Sequence, residues 1–266
     1  MKKSLIVLSL LFLLLGGTSV ISAYKPPQAA PYANAEPSIE EPTCVSQEVV
    51  LVDGVDVALS LYVDQGVLVR TAAVVDESQK EDLNLEELES AILQQNAADY
   101  QYLQQTPYRA LAASLYFLDS FSNYETNSVN QTCNVGHSGD WYRGMLGGEA
   151  FLEAKNLQVG AVYSGPGNAE LIVLAQTIST GSTALSFSAP PGFSIGPDSR
   201  SATWTSAPYP DVSFAEAYIP GSAISSGAME AYTSIVSTSE IRANPYTSYV
   251  TSVSDNKTYH IFAVLS

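Results

Sequence analysis

The chain has 266 residues, 46% of them hydrophobic and 10% aromatic, which is enough for a buried core and excludes wholesale disorder. Eleven basic against 27 acidic residues give a formal charge of −16, the wrong sign for a protein that grips nucleic-acid phosphates. Two cysteines and two histidines, none at metal-ligand spacing, argue against a structural zinc site, and no stretch carries a cofactor motif.

Residues 1–23 read as a secretory signal peptide. Lys2 and Lys3 form a positive start, Leu5 to Leu15 an apolar run, and Ile21-Ser22-Ala23 a cleavage point. The apolar run is shorter than the roughly 20 residues a spanning helix needs, so no membrane span is expected after cleavage. The expected mature chain begins at Tyr24, is secreted or held at the cell surface, and has a formal charge of −18 (9 basic minus 27 acidic residues). In an oxidising compartment the two cysteines have only each other, so a Cys44–Cys133 disulfide is expected. Asn130-Gln131-Thr132 and Asn256-Lys257-Thr258 match the glycosylation acceptor triplet.

Residues 24–43 carry Pro26, Pro27, Pro31, Pro37 and Pro42 and read as an extended linker. An α+β domain is expected over residues 44–180. Its first part, residues 45–75, is dense in β-branched residues, with Asp53-Gly54 and Gln65-Gly66 as turns between antiparallel strands. A central helical pair follows. Asn84 and Glu87 resemble a capping box ahead of Leu85, Leu88 and Ile92. Thr106-Pro107 then opens a second helix, with Leu111, Leu115 and Leu118 on one face and Ser122-Asn123 at its end.

Leu171 to Ile178 reads as a strand. Residues 181–266 hold 18 Ser and 8 Thr but keep Trp204, Phe214 and Phe262, so a packed β-rich region is expected rather than a stalk. Tyr259 to Leu265, apolar on both faces, reads as a central covered strand. The fold class expected is therefore α+β, a central helical pair with flanking antiparallel strands and a β-rich C-terminal region packed on it or following it.

Three stretches carry candidate chemistry. His137 lies in a loop-like, glycine-containing segment with Ser138 and Asp140. Gly192-Phe193-Ser194-Ile195-Gly196 matches the nucleophile-elbow pattern, with His260 downstream, but its flanking prolines read as a turn. Ser164-Gly165-Pro166-Gly167-Asn168 lacks the Lys-Ser/Thr ending of a phosphate loop and reads as a tight turn. Asp53, Asp56 and Asp64 lack calcium-loop spacing and read as solvated turn residues.

Residues 86–178 resemble the secreted CAP superfamily of cysteine-rich secretory, antigen 5 and pathogenesis-related-1 proteins. The likeness rests on Leu111-Ala112-Ala113-Ser114, then His137-Ser138-Gly139, then Gly148-Glu149-Ala150. It implies an α-β-α sandwich with His137 and Glu149 in one cleft. Ala150 stands where the family has Asn, and the later family histidine has no counterpart. Three readings stay open: an acidic extracellular protein binding a protein or glycan ligand without catalysis, a divergent CAP domain, and a secreted hydrolase using His137, or Ser194 with His260.

Overall fold

A computed structural model describes residues 41–84, 87–88, 91–92, 115–146, 148–181 and 184–260. The expected signal peptide and nearly all of the linker lie outside these residues. So do most of the expected helical pair and the final stretch from Ile261.

The described chain is antiparallel strand almost throughout, not α+β. It opens with a meander of β1 (Thr43–Val52), β2 (Val55–Asp64) and β3 (Val67–Val74). The two-residue turns between them are Asp53-Gly54 and Gln65-Gly66. All four residues have positive φ, between 48° and 87°, the backbone that matches the twist of a tight hairpin. A 3-10 turn, Glu77–Asp82, follows, with the Asp76 carboxylate accepting from the Ser78 N–H and hydroxyl.

Next come β4 (Tyr116–Thr126), β5 (Cys133–Leu146), β6 (Glu149–Tyr163) and β7 (Ala169–Thr180). The last third supplies β8 (Ser186–Ser188), β9 (Ser194–Ile195), β10 (Ser201–Thr205), β11 (Tyr209–Val212), β12 (Phe214–Gly227), β13 (Glu230–Asn244) and β14 (Thr247–His260).

These strands form two sheets. One is eight-stranded, in the order β1-β2-β3-β12-β6-β5-β4, with β8 also paired to β12. The other is six-stranded, β14-β13-β7-β10-β9, with β11 paired to β7. They pack face to face, β13 and β14 lying across β4, β5 and β6, and β7 across β6 and β12. Val135, Trp141, Leu157 and Val159 from one sheet and Ile172, Leu174, Ile178, Trp204 and Ile235 from the other meet in one core. At roughly 25 cal/mol per Å² of apolar surface, this layer is the main source of stability.

The arrangement corrects several expectations. Leu118 lies on β4, a strand, where a helix was expected. Residues 44–180 and 181–266 are not separate units: β12 is inserted between β3 and β6, and β7 between β13 and β10. Among the described residues His260 ends an edge strand, β14, and the rest of the expected central strand, from Ile261, lies outside them. Two facing sheets also replace the α-β-α layering that the CAP likeness implies.

Apart from the 3-10 turn, helical backbone is described only at residues 87–88 and 91–92. There Leu88 and Ile92 are buried with Val57, Leu59, Ala72 and Phe214, on the outer face of the eight-stranded sheet. The outer face of the six-stranded sheet has no such cover among the described residues.

Candidate functional site

Strand alternation decides which side chains meet between the sheets. On β5, Cys133, Val135 and His137 point inward. Ser138 points away, to Gln158 on β6 at 3.3 Å. Asp140 is held on the surface side by Ser120 and Asn156, each at 2.6 Å. Ser138 and Asp140 therefore do not join His137 in a catalytic group.

His137 is fully buried. Its Nδ1 lies 3.0 Å from Ser237 Oγ on β13, and Gln176 Nε2 on β7 donates to the same oxygen at 3.1 Å. Ser237 has one proton. Its oxygen can accept from Gln176 and either donate to His137 Nδ1 or accept from it, so both neutral tautomers fit this contact. His137 Nε2 and Gln176 Oε1 have no hydrogen-bond partner among the described residues. Burial pushes the imidazole pKa down to about 4, so the ring is neutral. Phe121 packs edge-on against it at 5.3 Å between centroids. A neutral imidazole sealed between two sheets can align them; it cannot exchange protons with a solvent-borne substrate.

A second polar group sits beside it, where β4 and β5 face β14. Asp255 accepts from Trp141 Nε1 at 3.1 Å and from Asn123 Nδ2 at 3.0 Å. Burial pushes its carboxyl pKa up, and these two donors act against that rise. Lys257 pairs with Asp119 across the same seam at 2.5 Å. Sequence reading missed this group because its members are far apart in the chain and share no motif.

The remaining predicted site residues are scattered. His137 is paired with Val159, whereas Glu149 lies ten residues along β6, on the order of 33 Å at the usual rise per residue. Glu149 is exposed and accepts from Ser226 Oγ. The pair does not share a cleft. Ser194 on β9 and His260 on β14 occupy opposite edges of the six-stranded sheet, four strands or about 19 Å apart. His260 Nδ1 pairs instead with Glu230 at 3.2 Å.

The expected disulfide is not formed. Cys44 is exposed on β1, Cys133 is enclosed on β5, and both are free thiols. Five strand spacings separate β1 from β5 in the sheet order, about 24 Å at the usual interval and well past disulfide reach.

Asn130, in the first glycosylation triplet, is tied down. Its Oδ1 accepts from Asn127 and Thr132, and its Nδ2 donates to the Tyr249 hydroxyl. Asn256, in the second, is exposed on β14.

Two further groups escaped the sequence reading. Asp64 is fully buried rather than solvated, and accepts from the Ala207 N–H at 2.7 Å and the Tyr209 hydroxyl at 3.0 Å. Lys80, on the 3-10 turn, is buried with its ammonium on the carbonyls of Tyr163 and Gly167 and 4.6 Å from the Tyr163 ring centroid. Burial lowers its pKa to about 8.

The open face of the six-stranded sheet has a different character. Thr203, Thr177, Val236 and Ser254 form one row across four strands, and Thr205, Ala175, Thr238 and Ser252 the next. The Thr177 and Thr203 hydroxyls bond each other at 3.0 Å. Rows repeat about 6.6 Å apart and strands about 4.8 Å apart, giving an array of short side chains in which six of these eight carry hydroxyls, Val236 and Ala175 being the exceptions.

No family model and no curated protein matches the chain. Among solved structures, one match is described as "The Enterococcus faecalis MSCRAMM ACE binds its ligands by the collagen Hug Model". It has 7% identity, covers 82% of this chain and 95% of that one, and has a TM-score of 0.15, which carries no inference.

Proposed function

We propose that the chain is an exported, acidic binding protein of the cell surface or extracellular space. Its contact surface is the open hydroxyl face of the six-stranded sheet. That face is the observation that carries the reading. The outer face of the other sheet is partly covered by Leu83, Leu88 and Ile92, while none of the described residues covers this one, which carries Ser and Thr across four strands. Hydroxyls donate and accept at once, so such an array suits polar ligands rich in the same groups, glycans above all. The leader-like N-terminus and the formal charge of −16 fit export and solubility. Enclosure of His137 supports binding over catalysis, because the ring is out of reach of any external substrate.

The test is retention of the purified chain on immobilised polysaccharides and extracellular proteins. Thr203→Arg with Thr238→Arg should abolish retention, and Asp53→Arg, on a distant turn, should leave it intact. Retention that survives the Thr203/Thr238 change, or substrate turnover lost in His137→Gln, would defeat the proposal.

A further inference from the structure

The two sheets do not cover each other completely. Among the described residues β1 pairs with β2 alone, so its other edge is open. The six-stranded sheet also stops short of β1. Gln47, Val49 and Leu51 face the inner side of the sandwich, yet Val49 is 61% and Leu51 71% exposed. An exposed edge with apolar side chains is a template for another strand, and proteins usually blunt it with charge, proline or a bulge. β1 has a bulge between Cys44 and Ser46, but beyond it Ser46 to Val52 runs regularly with Glu48 as the single charge. The other long edges are better defended. β4 is bulged between Phe117 and Asp119, and β14 carries Asp255 and Lys257.

We infer that β1 is a self-association edge, and that a second copy of this chain adds its own β1 antiparallel to it. The register follows from the sequence. A two-fold axis at Val49 pairs all seven residues of the regular stretch, setting Val49 opposite Val49, Gln47 opposite Leu51, Glu48 opposite Val50, and Ser46 opposite Val52 of the second copy. The exposed apolar side chains of both copies then share one face. No like charges are opposed, although each copy is strongly acidic. The Pro-rich leader is a poor alternative occupant: Pro26, Pro27, Pro31, Pro37 and Pro42 have no N–H to give a ladder.

The experiment uses the full mature chain. Light scattering over a micromolar concentration series should show the mass doubling, and added salt should strengthen association by screening two acidic bodies. Val49→Lys and Leu51→Lys, at positions exposed in the monomer, should abolish the doubling while leaving the thermal midpoint near that of wild type. Register is read with a short bis-maleimide. Val49→Cys in a Cys44→Ser background should give a covalent dimer. Wild-type Cys44 should not, since its copies would lie on the order of 33 Å apart. A monomeric mass throughout, a dimer indifferent to Val49→Lys and Leu51→Lys, or cross-linking through Cys44 instead of residue 49 would each overturn the proposal. None of these results bears on the hydroxyl face, which lies on the other sheet.

Discussion

Acidification should loosen this sandwich through His137. In the folded chain its pKa is held near 4, against 6.5 for a free imidazole, and burial is the cause. Between those values the unfolded chain binds a proton that the folded chain refuses, so stability falls as pH falls through that window and levels off below it. A difference of about 2.5 pKa units corresponds to about 3 kcal/mol in full, of which about 2 kcal/mol is lost between pH 8 and pH 5. The geometry agrees with the sign. A doubly protonated ring would be a buried charge with an N–H on both nitrogens, and Nε2 has no acceptor among the described residues. The charged groups of the adjoining strands stand apart from the ring: Asp255 and Lys257 on β14 and Asp119 on β4 are engaged with one another and with Trp141 and Asn123.

Asp255 acts in the opposite direction. Its raised carboxyl pKa makes the folded chain the better proton acceptor above 3.8, offsetting part of the loss. Urea unfolding at pH 8 and pH 5, in wild type and His137→Gln, isolates the histidine. The variant should be less sensitive to pH by about 2 kcal/mol, whatever its absolute stability. An equal pH dependence in the two proteins would refute the reasoning.

Asp64→Ala should cost about 2–4 kcal/mol, because the buried Ala207 N–H and Tyr209 hydroxyl lose their acceptor. Tyr209→Phe, which removes one donor and leaves the other bond, should cost about 1 kcal/mol, so reversed ranking in urea melts would contradict this account. Lys80→Met should destabilise by about 1–3 kcal/mol, as the Tyr163 and Gly167 carbonyls lose the ammonium; a thermal midpoint equal to wild type would count against the contact. An aromatic disulfide reagent should titrate one thiol, Cys44, in the native chain and Cys133 only on unfolding. Finding no free thiol would restore the disulfide.

The first three strands were legible because their turns are local. Asp53-Gly54 and Gln65-Gly66 need a backbone that these residues tolerate, and the apolar runs on either side are strand-length. The stretch at Leu118 was not legible. Leu111, Leu115 and Leu118 recur at helical spacing, while the bulge between Phe117 and Asp119 breaks the two-residue alternation that would have marked β4. β13 was hard to place for another reason. Its inward positions mix Thr233, Ser237 and Ser239 with Ala231, Ile235 and Ile241, so polar residues occur on both faces and the inward apolar signature is broken. The interleaving of β7 and β12 between strands distant in sequence lies beyond any local pattern.

Glycine misled the site reading in both places where chemistry was sought. Around His137, Gly136 and Gly139 look like loop residues, but both lie inside β5. A β-carbon at Gly139 would come within 2.7 Å of the Phe121 ring and 2.8 Å of Leu157, so this glycine lets large neighbours close over the strand beside His137. In Gly192-Phe193-Ser194-Ile195-Gly196, Gly192 has φ of 85°, and its β-carbon would meet the Gln65 carbonyl oxygen at 2.3 Å. Its role is to let the 190s turn approach the β2–β3 turn, and no nucleophile is being presented. A glycine pattern records where backbone must bend or come close. Whether that closeness serves a substrate or a neighbouring strand depends on what lies opposite, and here a phenyl ring and a backbone carbonyl do.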